Sequence, residues 1–364
     1  MVACKMLRLH SARWPFIKKQ QCLNPQPTRH EPLLRLLPAL FLLLLTASFP
    51  VMSFSTQTES IRQVIGPSGF PEHRVALVDS LEIVYVDAGQ GNSALLFIHG
   101  LSSYVRAWER TLPELSRRRR RLALDLPGYG KSSKDHYPGT MEFFAEVVHL
   151  FIQRLHLRNA TLVGHSMGGQ IAVTLKYPAD AQKLVLASPA GFETFTAPER
   201  EQLRAFYTVA TIQHTPEAQV RANHKYNFYH MSPAVDLWIT ERLRIMQCDD
   251  FGLYALTVVN SMAGMLNGPI FEHLPQVQQP PLVVFGAEDF LIPNRALHPQ
   301  LTTAQVAAAG VANLPHAQQV LLPEAGHFAH YEQAAEFNKL VAAFMRQNVW
   351  KTLHQHSSTS KRHH

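Results

Sequence analysis

Ser166, Asp289 and His327 are the side chains whose types and order point to chemistry. Ser166 stands in Gly164-His165-Ser166-Met167-Gly168-Gly169, after the apolar run Ala160-Thr161-Leu162-Val163 and before Gln170-Ile171-Ala172-Val173-Thr174-Leu175-Lys176. A strand, a one-residue turn and then a helix force the serine into a strained backbone, and the glycines two before and two after it let strand and helix approach closely. The hydroxyl then stands clear of the sheet, over the positive end of the helix. A serine hydroxyl is a poor nucleophile until a base takes its proton. Gly326-His327-Phe328-Ala329-His330 supplies the base: it follows the strand-like Val320-Leu321-Leu322 and precedes a closing helix, which sets His327 on a loop. His330 is expected to face solvent or the helix flank, and the side chain of His165 to point away from the serine.

The base in turn needs an acid that holds its tautomer and stabilises the imidazolium. Phe285-Gly286-Ala287-Glu288-Asp289, after the strand Leu282-Val283-Val284, offers Asp289, with Glu288 as the neighbouring alternative. Asp125, in Asp-Leu-Pro-Gly-Tyr-Gly, reads as a structural turn. An oxyanion formed at the serine needs preorganised backbone N–H donors. Met167, immediately after the nucleophile, is one; Leu101, in His99-Gly100-Leu101-Ser102-Ser103 after the strand ending at Ile98, is the other, with His99 bracing that loop. The order serine, acid, histidine is the one expected when a nucleophile turn opens an αβ sheet.

These residues must be carried to one edge of a common scaffold, and the hydrophobic pattern predicts such a scaffold. Residues 73–79 and 81–87 read as two strands joined by a tight turn, and Ala94-Leu95-Leu96-Phe97-Ile98 as a strand buried on both faces. A helix at about 103–115, a strand at 121–125, a helix at 140–156, a strand at 160–164, a helix at 168–177 and a strand at 183–187 follow. Strands near 282–286 and 317–322 and a helix at 330–347 close the body, with an added helix from Leu301 to Leu314. Repeated alternation after an initial hairpin implies a mostly parallel sheet with helices on both faces and a site at the C-terminal strand ends. Residues 190–280 break the rhythm with helix-like runs, such as Ala197–Ala210 and Ser232–Cys248. They read as an inserted helical lid whose aromatics (Phe206, Tyr207, Tyr226, Phe228, Tyr229, Trp238, Phe251, Tyr254) mostly pack inward.

The domain reading is a leader at 1–59, a core at 60–189 and 281–350, the lid at 190–280 and a disordered polar tail at 351–364. The formal charge of +7 belongs to the ends. Residues 1–35 carry seven basic side chains against Glu31, and the tail adds Lys351, Lys361 and Arg362, which leaves 36–350 near −2. A nucleic-acid binder therefore has no basis in the body. The run Arg117–Arg121 reads as a solvated loop at the sheet edge. Only Cys248 lies in the body, so the body alone forms no intramolecular disulfide or cysteine metal site. Arg35 and Glu59 bracket 23 uncharged residues around the apolar core Leu36–Leu45. This resembles a secretory signal, with Ala47 or Ser53 before a cleavage point, or an uncleaved anchor that associates with a membrane through residues 36–58. Export or anchoring is the expectation. No metal, nucleotide or flavin signature is present, and no cofactor is expected.

At this point the chain resembles the α/β-hydrolase superfamily, in its lidded esterase, lipase and carbon–carbon bond hydrolase group. The resemblance rests on His99-Gly100, Asp125–Ser132, Gly164–Gly169, Gly286–Asp289 and Gly326–Phe328, spread over residues 73–349. The elbow Gly-His-Ser-Met-Gly-Gly is similar to that of monoacylglycerol lipases and esterases. Gly326–Glu332 resembles the end of carbon–carbon hydrolases, whose elbow often has Asn where this chain has His165. Relatives with an aspartate nucleophile are disfavoured by Ser166. The reading is hydrolysis of a small to medium apolar ester through an acyl-Ser166 intermediate. The first alternative keeps the triad and cleaves a carbon–carbon bond or forms a peracid; Arg221, Arg242 or Arg244 reaching the cleft would favour a carboxylate-bearing substrate. The second is a ligand-binding receptor with little turnover.

Overall fold

The computed structural model describes residues 59–91, 93–115 and 119–347. Contacts divide the chain into units 1–55 and 56–364, and all described residues lie in the second. The leader up to residue 58, both cleavage points, Arg117 and Arg118, and the tail from residue 351 lie outside the described residues.

Eight strands form one sheet: β1 (Glu72–Val78), β2 (Leu81–Ala88), β3 (Ala94–Ile98), β4 (Arg120–Leu124), β5 (Thr161–His165), β6 (Lys183–Ala187), β7 (Pro281–Gly286) and β8 (Gln318–Leu322). Their order is β1-β2-β4-β3-β5-β6-β7-β8. β2 alone runs against the rest, paired antiparallel to β1 and β4, while every other pair is parallel. The expected hairpin therefore forms, turning at Asp79 with φ 43°. β3, β5, β6 and β7 are buried along their whole length, which is why they read as unbroken apolar runs rather than alternating ones. Period-two geometry splits them between two faces. Leu95, Phe97, Val163, Val185 and Val284 join Trp108, Phe337, Val341 and Phe344 in one core, which leaves Leu96, Ile98 and Leu162 to the other face.

The helices are α1 (Ile61–Val64), α2 (Met141–Arg154), α3 (Met167–Thr174), α4 (Ala197–Phe206), α5 (Val209–Gln213), α6 (Glu217–Asn227), α7 (Pro233–Ile245), α8 (Phe251–Asn267), α9 (Thr303–Ala312), α10 (Ala329–Glu332) and α11 (Ala334–Arg346). α2 shows how the local sequence sets an element. Thr140 accepts the Phe143 N–H at 3.1 Å as its cap, and Glu142 and Arg154 oppose the two ends of the helix dipole. Its buried stripe, Met141, Phe143, Phe144, Val147, Val148 and Phe151, follows the helical period. α4 to α8 occupy the chain between β6 and β7, so the expected insertion is helical and adds no strand to the sheet.

Several expectations are corrected. Residues 103–115 hold only a 3₁₀ turn at Val105–Trp108 followed by further turns. The Val105 N–H goes to Asp125 Oδ1 at 2.8 Å, and Arg121 collects carbonyls that a longer helix would have used. Its Nη1 donates to Leu112, Pro113 (3.3 Å) and Leu115 (2.9 Å). The arginine run is thus not simply a solvated loop: Arg121 is 5% exposed, and Arg120 pairs with Asp87 at 2.5 Å. The predicted helix 197–210 breaks at Tyr207, because Thr208 and Thr211 cap a new helix reciprocally. The closing helix breaks at Gln333. Of the aromatics assigned inward, Phe206 (69%), Tyr226 (56%) and Tyr229 (41%) are exposed, while Phe228, Phe251 and Tyr254 are buried.

Charged donors to buried carbonyls are among the stronger hydrogen bonds, and orphaning their acceptors costs on the order of 3 kcal/mol. Arg121→Leu is accordingly expected to destabilise the fold by about that amount, while Arg119→Ala at the partly exposed loop leaves it nearly unchanged. Urea denaturation of both variants checks this.

Candidate active site

Ser166 leaves β5 directly and opens α3 with φ 52° and ψ −116°, a backbone that a residue with a Cβ adopts at a cost of about 1–3 kcal/mol. The surroundings over-determine it. Its N–H donates to the Ala187 carbonyl at 2.9 Å, and its own carbonyl accepts from Gly169 (2.9 Å) and Ala190 (3.1 Å). The flanking glycines are required by space. A Cβ on Gly164 would lie 2.3 Å from the Gly168 carbonyl oxygen, and one on Gly168 2.2 Å from that of Ile98. The turn therefore brings α3 against the end of β3, where the Gly100 loop begins. Met167 is the first residue of α3, and such an N–H has no partner within its helix. Leu101 lies in the turn closed by Ser103 N–H to Gly100 O at 3.3 Å.

His327 and Asp289 meet across the ends of β8 and β7. Nδ1 of His327 lies 2.8 Å from Asp289 Oδ2, and the carboxylate is fully buried. The other carboxylate oxygen accepts the N–H groups of Leu291 (2.8 Å) and Ile292 (3.0 Å). With Oδ1 occupied, Oδ2 is left to fix the Nδ1–H tautomer, which leaves Nε2 as the basic nitrogen. Glu288, the alternative acid, is exposed.

The link between nucleophile turn and base loop is one that sequence reasoning missed. His165 is buried, and its Nε2–H donates to the His327 backbone carbonyl at 3.0 Å. Its ring lies 4.8 Å from that of His327 and 4.5 Å from those of Phe328 and His330. A Cβ placed on Gly100 would sit 2.9 Å from His165 Nδ1 and 3.1 Å from Ser166 Cβ. Three backbone segments therefore converge on this ring. Burial, followed by the neighbouring His330 and His327, drives the His165 pKa well below its usual value. His330 is corrected from solvent to core: it is fully buried, 4.4 Å from the Trp108 ring, and burial pushes its pKa down to about 3.

His99 and Asp125 form the support beneath. His99 Nε2 accepts the Leu126 N–H at 3.0 Å and Nδ1 faces the Gly100 carbonyl at 2.8 Å, so both nitrogens are committed to the loop. Burial holds its pKa at about 4. Asp125 receives Val105 and Lys131 N–H groups at 2.8 and 2.7 Å, which makes it a structural turn residue. Glu241 of α7 ties the insertion to the same region through Tyr104 and through Arg106 at 2.7 Å. Of the three arginines of the insertion singled out above, Arg221 pairs with Glu217 at 2.7 Å and Arg244 lies 3.7 Å from Glu59. Arg242 alone turns inward, 4.7 Å over the Tyr254 ring, whose hydroxyl donates to the Ser102 carbonyl at 3.3 Å. The clefts beside Tyr104 and beside His230 include none of Ser166, Asp289 or His327. Among the described residues no cluster of His, Cys, Asp and Glu could hold a metal ion.

A strand-turn-helix serine, an acid–histidine pair on later strand ends and a mostly parallel eight-stranded sheet define an α/β hydrolase. The alpha/beta hydrolase family model matches residues 95–340, and the chain belongs to that family. It is 28% identical over 264 residues to the dihydrolipoyllysine-residue acetyltransferase component of the acetoin cleaving system of Pseudomonas putida. That match takes in 71% of this chain and only 65% of the relative's length. It is also 28% identical over 284 residues to a 2-hydroxy-6-oxononadienedioate/2-hydroxy-6-oxononatrienedioate hydrolase of Burkholderia vietnamiensis, covering 73% of this chain and 91% of that one. Among solved structures, a probable hydrolytic enzyme of Pseudomonas aeruginosa superposes with a TM-score of 0.70 at 22% identity, over 80% of this chain and 99% of its own, which shows the shared fold.

Filling the space at Gly100 pushes on both Ser166 and His165. Gly100→Ala is expected to lower turnover of a p-nitrophenyl ester by roughly 100-fold, the scale of a misplacement near 1 Å, with far-UV circular dichroism unchanged.

Proposed function

We propose that the protein is a serine hydrolase that cleaves small to medium apolar carboxylic esters. The observation that carries this reading is the strained Ser166 joined, through the His165 hydrogen bond, to a histidine whose Nδ1 is anchored on a buried carboxylate. His327 Nε2 takes the Ser166 proton as the hydroxyl oxygen attacks the ester carbonyl. The N–H groups of Leu101 and Met167 receive the oxyanion, each worth about 10² to 10³ in turnover. His327 then gives the proton to the leaving alcohol, and the same ring activates water to release the acid from acyl-Ser166. Exposed apolar side chains on the insertion and beside the acid, including Phe206, Tyr229, Phe290 and Leu291, support an apolar substrate.

A second reading, hydrolysis of a carbon–carbon bond in a carboxylate-bearing dienoic ketone, is favoured by one observation. Arg242 packs on Tyr254, which bonds the loop carrying Leu101, so a cation is linked through that ring to the loop on the oxyanion side. The Burkholderia relative is named for a dicarboxylate of this kind. The uncharged leader residues 36–58 support an exported or membrane-anchored protein. Among the described residues no helix is long and apolar enough to cross a membrane.

A p-nitrophenyl ester chain-length series, run on wild type and Ser166→Ala, tests the first reading. The wild type is expected to turn over short or medium esters, with at least about a 10³-fold loss in the variant. Turnover equal to that of Ser166→Ala on every ester would sink the esterase reading. Arg242→Leu separates the two readings: it leaves an apolar ester optimum in place and abolishes turnover of a 6-oxo-dienedioate if that is the substrate.

A further inference from the structure

Away from the triad, one titratable cluster spans two segments on which the triad depends. The chain after Asp289 folds back on itself: the Asp289 carbonyl accepts Arg295 Nη2 at 3.1 Å and Thr303 Oγ1 at 3.2 Å, and Thr303 Oγ1 also reaches the Ile292 carbonyl at 3.1 Å. In the middle of this loop the Asn294 N–H lies 2.9 and 3.0 Å from the two carboxylate oxygens of Glu193, a residue six positions beyond the end of β6 at the root of the helical insertion. His298 lies 2.5 Å by Nδ1 from Glu193 Oε1 and 3.2 Å by Nε2 from Glu199 Oε1. Its ring stacks on Phe195, centroids 5.4 Å apart. Glu199 is itself held, its other oxygen accepting the N–H and hydroxyl of Thr196 at 2.6 and 2.8 Å. Glu193 and His298 expose only 5% and 13% of their side chains.

Both ring nitrogens of His298 thus face carboxylate oxygens. A neutral imidazole has one N–H and satisfies one of them, whereas an imidazolium donates to both. We infer that His298 is a positioning residue whose protonated ring clamps the root of the insertion, through Glu193 and Glu199, to the loop that carries Asp289, and whose deprotonation opens the clamp. The inference rests on the hydrolase reading for its effect on turnover, but not for its effect on stability.

The charges around the ring agree with this assignment. Glu193 and Glu199 face it from the insertion. On its own loop, Arg295 is committed to the Asp289 and Leu301 carbonyls. Arg200, on the insertion side, is committed to the Phe195 carbonyl at 2.6 Å. The hydrogen bond to Glu193, followed by the charges of the two carboxylates, raises the His298 pKa above its usual value. Burial is the larger influence on Glu193 and raises its pKa too, with Asp289 adding to the rise. A folded-state pKa above the unfolded one means that the stabilisation is complete below about 6.5 and is lost as pH rises through the folded value. Turnover is expected to fall on the alkaline side as His298 deprotonates and the clamp opens.

The full chain, with His298→Gln and Glu199→Gln beside it, tests the clamp by thermal unfolding between about pH 6 and 9.5 and by kcat and KM on the best ester. The Tm gap between wild type and His298→Gln is expected to be widest near pH 6 and to close as pH rises. That variant loses the alkaline fall in kcat, and its acid-side kcat drops about tenfold with KM little changed, the signature of a misplaced acid. Glu199→Gln removes only the outer carboxylate and is expected to move the alkaline fall to lower pH. A Tm gap independent of pH, or an alkaline fall that neither substitution shifts, overturns the clamp. A wild type without esterase activity removes the function reading alone, because the Tm arm still decides the clamp.

Discussion

An L-residue held at φ 52° and ψ −116° persists only where the surrounding structure leaves it no alternative, and much of this molecule can be read as what holds Ser166 there. β6 supplies the carbonyl that takes the Ser166 N–H, and the chain beyond it supplies the donor for the serine carbonyl. β3 delivers the Ile98 carbonyl against which Gly168 packs without a Cβ. Those two strands flank β5 in the sheet. The strain is therefore borne by parallel pairing on both sides.

The same contacts set the electrostatics. The His165 ring lies within contact distance of both the His327 and the His330 rings. Burial keeps His165 and His330 neutral. Of these three rings His327 alone carries a carboxylate partner, and the neutral His165 packs against it. His99, neutral for the same reason, spends both nitrogens on the loop in front.

Much of this was legible in the sequence because it rests on local signals. Elbow glycines, apolar strand runs and the residues after the strands that end at Gly286 and Leu322 are all short-range patterns, whereas the strand order was not read from them. The acid was legible only as a pair. Asp289 and Glu288 are equivalent by position, and what separates them is which side chain the turn at 289–292 buries. The role of His165, the burial of His330 and the Glu193–His298–Glu199 contact were not legible, since each joins segments about a hundred or more residues apart. The error at 103–115 has a shorter-range origin. A helical pattern there yields to Asp125 and Arg121, which stand only 6 to 20 residues further on and take the segment's amide and carbonyls for themselves.

β6 ends at Ala187 and β7 begins at Pro281, and the two strands are direct neighbours in register. Because the two strands run parallel, the chain leaves at the C-terminal end of β6 and crosses to the opposite end of the strands to enter β7, an excursion that carries the intervening helices. An excursion of that kind is a module. Its length and composition can drift, or be replaced wholesale, while the strands beneath keep their pairing. The exchange is constrained where the module grips the body, among other places at Glu193, Glu199, Glu241, Tyr254, Asn260 and Ser261.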